Sequence, residues 1–119
     1  MPTTTPDIEQ CIENCTRCHR ICLETAARHF RGERGAAQGH EAHVRLLLDC
    51  AEICQTSANF MLRGSDLHAH TCAACAEVCE RCGRDCEAMA DGDTRMAACA
   101  EMCRRCAESC RNMAAHTVH

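Results

Sequence analysis

The chain has 119 residues, 15 of them Cys, and a formal net charge of −4. Cys at about 13% exceeds the ~8–10% that marks a disulfide or metal scaffold, while Leu, Ile, Val and Phe together fall below the ~20% of ordinary globular chains. Either the chain does not fold by ordinary burial, or its cysteines occupy the core. It has two Phe, no Trp, no Tyr and no Lys, and its 13 Arg are scattered among 17 acids. That leaves neither a basic surface for nucleic acid nor a platform for stacking bases. No apolar run approaches the ~18 residues of a membrane span. Met1-Pro2-Thr3-Thr4-Thr5-Pro6-Asp7 has neither the basic nor the apolar region of a secretory signal. The expected location is therefore cytoplasmic, where thiols stay reduced.

Four helices are expected, in a single bundle over 7–115 between flexible tails at 1–6 and 116–119. Thr5-Pro6-Asp7 reads as a cap with Pro in the first turn, opening a helix over about 7–31. It carries Cys11, Cys15, Cys18 and Cys22 in a C-x3-C-x2-C-x3-C template. Arg31-Gly32-Glu33-Arg34-Gly35 then breaks the chain. The second helix, about 37–63, carries a degenerate copy: Cys50 and Cys54, then Ser57 and Met61 in place of two cysteines. Gly64-Ser65-Asp66 ends it and caps the third, about 66–90, with Cys72, Cys75, Cys79, Cys82 and Cys86. Asp91-Gly92-Asp93 precedes the fourth, about 94–115, with Cys99, Cys103, Cys106 and Cys110. Such self-similarity outranks local propensity as a signal.

Steps of 4, 3 and 4 are helical steps, so each set of cysteines forms a stripe on one helix face. Glu13, Glu77 and Glu101 fall on the opposite face, each four residues before an Arg (Arg17, Arg81, Arg105), the favoured order for a solvated pair. Short links make neighbouring helices antiparallel, in an up-down-up-down four-helix bundle, an all-α fold. With the stripes inward, the core is a tube of sulfur.

A disulfide scaffold fits this pattern poorly. Cβ atoms three or four apart on a helix are about 5–6 Å apart, against about 3.5–4.5 Å in a disulfide. An iron–sulfur cluster calls for a few cysteines converging from loops. Soft thiolates suit Cu(I) or Zn(II). Zinc sites are closed tetrahedra, and each tetrathiolate unit leaves two negative charges buried. One Cu(I) per thiolate leaves none. The stripe faces add soft neutral donors: Met61, Met89, Met96 and Met113, together with His43 and His68. The candidate metal ligands are therefore the fifteen cysteines, these four methionines and His43. His19, His29, His40, His70, His116 and His119 read as solvated or flexible. No nucleophile triad or phosphate loop is present, and C-x2-C without a βαβ context is not a redox signal. No enzyme activity is expected.

In these stripes the chain resembles the bacterial copper storage proteins, in the cytosolic branch that lacks an export signal. The resemblance covers roughly residues 7–115. It implies a homotetramer of Cys-filled four-helix bundles, multiple Cu(I) ions on the thiolates, and ions admitted at a mouth lined by Met or His. A copper chaperone or chelator would be donor or acceptor. The end bearing His43, Met89 and Met96 is the expected mouth. Ile8, Ile12, Phe60, Leu62 and Leu67 are expected to plug the other end. A zinc or mixed-metal thiolate buffer is the alternative.

Overall fold

The computed structural model describes residues 7–30 and 40–115. They form four α-helices: α1 (Ile8–Phe30), α2 (His40–Leu62), α3 (His68–Ala90) and α4 (Thr94–Ala115). Each packs along its length against the two beside it, and among the described residues the diagonal helices meet only through core side chains such as Cys54 and Cys106. That is the expected up-down-up-down square. The tails at 1–6 and 116–119, and the break at 31–39, lie outside the described residues.

Two helix starts differ from expectation. Asp7 caps α1: its Oδ1 accepts the Gln10 N–H at 3.2 Å, and the Thr5 expected to do so lies outside the described residues. Gly64, at φ +68°, turns the chain out of α2. The cap of α3 is then Leu67, which offers no side-chain acceptor. Ser65 Oγ accepts the Leu67 N–H at 3.0 Å, so the expected capping hydroxyl supports the turn and the helix begins two residues late. The cap of α4 follows the rule. Asp93 Oδ1 accepts the Arg95 and Met96 N–H groups at 3.0 and 3.2 Å.

All fifteen cysteines are 0% exposed. Ala26, Ala51, Ala58, Ala76, Ala100 and Ala107 are buried beside them and let the helices approach closely. The outer faces carry the expected pairs: Glu13–Arg17 at 2.8 Å, Glu77–Arg81 at 2.8 Å and Glu101–Arg105 at 3.3 Å. All are more than half exposed, so solvent screening leaves each contributing little.

Gly83 sets the α3–α4 spacing. A Cβ there would stand 3.3 Å from Cys103 Cβ and 3.4 Å from the Ala100 carbonyl oxygen. A larger side chain must push the two helices apart, and their thiols with them. Gly83→Val should destabilise the reduced apoprotein by ~1–3 kcal/mol, the usual cost of overpacking, as read from a lowered urea midpoint.

Candidate metal centre

The helical stripes continue past the cysteines in the same 3–4 rhythm. On α2 the buried positions run His43, Leu47, Cys50, Cys54, Ser57 and Met61. On α4 they run Met96, Cys99, Cys103, Cys106, Cys110 and Met113. Soft neutral donors thus close the ends of the sulfur column.

All the thiols except Cys72 and Cys82 join one network of sulfur contacts. From one end to the other, sulfur contacts run Cys86–Cys99 (3.8 Å), Cys99–Cys22 (3.9 Å), Cys22–Cys18 (4.0 Å) and Cys18–Cys50 (3.9 Å). They continue Cys50–Cys79 (3.6 Å), Cys79–Cys54 (3.5 Å) and Cys54–Cys106 (3.8 Å). The last steps are Cys106–Cys15 (3.6 Å), Cys15–Cys110 (3.4 Å) and Cys110–Cys11 (3.7 Å). Cys103 touches Cys18, Cys22 and Cys50, and Cys75 touches Cys54 and Cys79. All fifteen thiols are free.

These spacings already suit metal. With a metal–sulfur bond near 2.3 Å, three sulfurs around one ion stand about 4.0 Å apart and four about 3.8 Å. Four groups of thiols have all their sulfurs within 4.8 Å of one another: Cys11/Cys72/Cys110, Cys15/Cys75/Cys106/Cys110, Cys18/Cys54/Cys79/Cys106 and Cys18/Cys22/Cys50/Cys103. Cys18, Cys106 and Cys110 each belong to two groups. The groups therefore fuse through shared ligands rather than standing as separate sites.

The shared S–H contacts split the thiols' acidities. Hydrogen bonding with Cys11 helps push Cys72 up to about 11. Hydrogen bonding with Cys103 pulls Cys82 down to about 5. Cys18 and Cys75 also lie below the ordinary thiol value, and Cys22 and Cys54 above it.

Of the sequence-predicted set, Met61, Met96, Met113 and His43 are buried in the core and Met89 is half-buried. His43 Nδ1 stands 2.7 Å from Asp85 Oδ2. A carboxylate accepts, so in the neutral ring Nδ1 carries the proton and Nε2 keeps its lone pair. That Nε2 is buried without a hydrogen-bond partner. This is the carboxylate–imidazole arrangement that orients metal-ligating histidines.

Three histidines expected in solvent are not there. His29 is buried and meets the His40 and His43 rings edge-on, with centroids 5.1 and 5.2 Å apart. His40 is half-buried, with Nδ1 shielded and without a hydrogen-bond partner. His19 donates from Nδ1 to the Ala51 carbonyl at 2.7 Å, tying α1 to α2. The spacing His40-x2-His43 at the start of α2, and His29 seven residues after Cys22, were the available signals. His70 is exposed as expected. His116 and His119 lie outside the described residues.

Near these histidines, Arg28 of α1 pairs with Asp93 of α4 at 3.0 Å, and both side chains are largely buried. Burial alone would raise the Asp93 carboxyl. Hydrogen bonds from the Met96 N–H and from Arg28 outweigh it and hold the group below its usual value. At the opposite end the expected plug is corrected. Leu62 and Leu67 are 66% and 57% exposed, and Phe60 is half-buried with the Arg63 guanidinium 5.0 Å above its ring. Helix α2 ends at Leu62, and the turn at Gly64 carries Leu62 and Leu67 outward. Of the expected set Ile8 and Ile12 do pack against the core there, with Met61 and Met113.

The chain matches the copper storage protein (Csp) family over residues 4–115. It belongs to that family. Among solved structures it is similar to the Nmul_A1745 protein of Nitrosospira multiformis, with TM-score 0.81 and 46% identity over 91% of this chain and 94% of that one. It is also similar to apo copper storage protein 3 (Csp3) of Bacillus subtilis, with TM-score 0.77 and 34% identity over 89% and 97%. The Cu(I)-bound copper storage protein BsCsp3 matches with TM-score 0.77 and 36% identity over 89% and 96%. A curated relative, the cysteine-rich protein YhjQ of Bacillus subtilis, is 36% identical over 76 residues. That match spans 64% of this chain and 62% of the relative.

Metal uptake should weaken as pH falls. A protonated thiol must lose its proton to bind a soft ion, and acid favours the proton. Cys72, held at about 11, is protonated at neutral pH and pays this cost throughout the physiological range. Metal retention against a chelator, followed from pH 8 to pH 5, should fall steadily, with protons released on loading.

Proposed function

We propose that this chain stores and buffers multiple Cu(I) ions on the thiolates of the bundle core, in the cytoplasm, without catalysing a reaction. One observation carries the reading: fifteen fully buried free thiols, most of them linked sulfur to sulfur, whose metal-sized groups share ligands. A bridging thiolate suits a soft monovalent ion of low coordination number. Charge favours the same ion. Four divalent ions, one in each group, would leave four of the groups' twelve thiolate charges uncompensated, a heavy burden in a dry core. One Cu(I) per thiolate leaves none. The family membership and the Cu(I)-bound relative support this choice.

The ions are admitted at the end that holds His29, His40, His43, Met89 and Met96. Neutral imidazole and thioether ligands there take Cu(I) from a chaperone or small chelator. The ion then steps to Cys86 and Cys99 and onward through sulfurs no more than 4.0 Å apart. Each step exchanges one thiolate for the next, and the displaced protons leave to solvent. The homotetramer implied by the resemblance is part of this reading, and light scattering of the purified protein checks it.

Titration of the fully reduced apoprotein with Cu(I), without oxygen and against a competing chelator, tests the storage reading. Tight uptake near fifteen ions per chain is expected. Saturation near four, with zinc held in preference, would establish the zinc-buffer alternative. Asp85→Asn tests the mouth. Its amide can donate to His43 Nδ1 and move the ring proton to Nε2. Uptake from a chelator should slow by ~10-fold or more, with final capacity unchanged.

A further inference from the structure

The sulfur network also reaches the opposite end of the bundle, where α2 closes, α3 opens and α4 closes. Cys11, Cys72 and Cys110 form a metal-sized group there. Cys72 Sγ lies 3.9 Å from Met61 Sδ and 3.3 Å from Ser57 Oγ. Met61 and Met113, 4% and 6% exposed, are the outermost buried donors on α2 and α4.

His68 stands four residues before Cys72, one turn outward on α3. Its Nδ1 is 2.9 Å from the Ser65 carbonyl oxygen. A carbonyl can only accept, so Nδ1 carries the proton and the neutral ring keeps its lone pair on Nε2. That Nε2 is shielded from solvent and has no hydrogen-bond partner. Of the five apolar residues expected to seal this end, Leu62 and Leu67 stand out in solvent, and Ile8 and Ile12 pack only partly buried against the core. The soft-donor sequence of the first mouth is thus repeated here: a fixed imidazole, a thioether, then thiolates.

We propose that this end is a second Cu(I) port, in which His68 Nε2 and the Met61 thioether pass the ion to or from Cys72 and the Cys11/Cys110 pair. The inference rests on the Cu(I) storage reading. It makes the bundle a channel open to ligand exchange at both ends. The transfer is ligand exchange without change of oxidation state. As the Cu–S bond forms, the Cys72 thiol releases its proton to solvent, and the thioether or imidazole bond breaks.

Two measurements on the full chain test it. The first follows 13C-labelled Met methyl resonances during anaerobic addition of the first few equivalents of Cu(I). The Met61 resonance should shift as early as that of Met96. A Met61 shift only near saturation would overturn the second port. No Cu(I) uptake at all would instead sink the storage reading on which the port rests.

The second measurement compares rates of Cu(I) removal by a chelator from loaded wild type, Met61→Leu, His43→Leu and the double variant. Met61→Leu conserves volume, so the bundle should fold. With two ports acting in parallel, closing either one roughly halves the rate, and closing both slows it far more than either alone. An unchanged rate for Met61→Leu, in wild type and in the His43→Leu background alike, would leave a single port.

Discussion

Everything in this bundle depends on how a buried thiolate finds a positive charge. The fifteen cysteines are sealed from water, and among the described residues the buried cationic side chain is Arg28, committed to Asp93. The interior therefore offers thiolates only protons or metal ions. In the apoprotein the thiols share protons along S–H contacts of 3.4–4.0 Å, which makes an otherwise ionic core compatible with burial. Monovalent soft ions in place of those protons leave the fully loaded core neutral, and the sulfur spacings already approach those of thiolates around one ion.

The outer shell has the complementary task. A core of small thiols gives up the large aliphatic area that stabilises most bundles. Ala-rich flanks, strong helix propensity and the close α3–α4 approach at Gly83 compensate. Exposed Glu–Arg pairs add little each. Their main effect is to keep the outward faces unambiguous, so the stripes face inward without competition. The bundle can then stand before metal arrives, unlike small metal sites whose folding waits for the ion.

The fold was legible because its signal is periodic. Steps of three and four, repeated on four segments, leave one helical solution and one inward face. The same periodicity placed Met61, Met96, Met113 and His43 in the core. What escaped was not periodic. Leu62 and Leu67 read as a plug, yet the local turn at Gly64 throws them outward. Ser65 read as a helix cap and instead braces that turn. His29 and His40 read as solvated because a lone histidine usually is. Their burial arises from three helix ends meeting in space, which no single segment encodes. The His43–Asp85 bond joins α2 to α3 across 42 positions, a partnership visible only once the helices are packed.

The network also makes storage collective. Because Cys18, Cys106 and Cys110 each serve two groups, an ion at one group alters the ligands left for the next. Affinity is then a property of the filled column more than of any four residues. The most direct measurement of this account is native mass spectrometry of the anaerobically loaded protein, which reports both the ions gained and the protons lost. The account predicts loading toward fifteen copper ions per chain, each displacing at most one proton, leaving the loaded core neutral. A plateau near four ions, each displacing two or more protons, would contradict it.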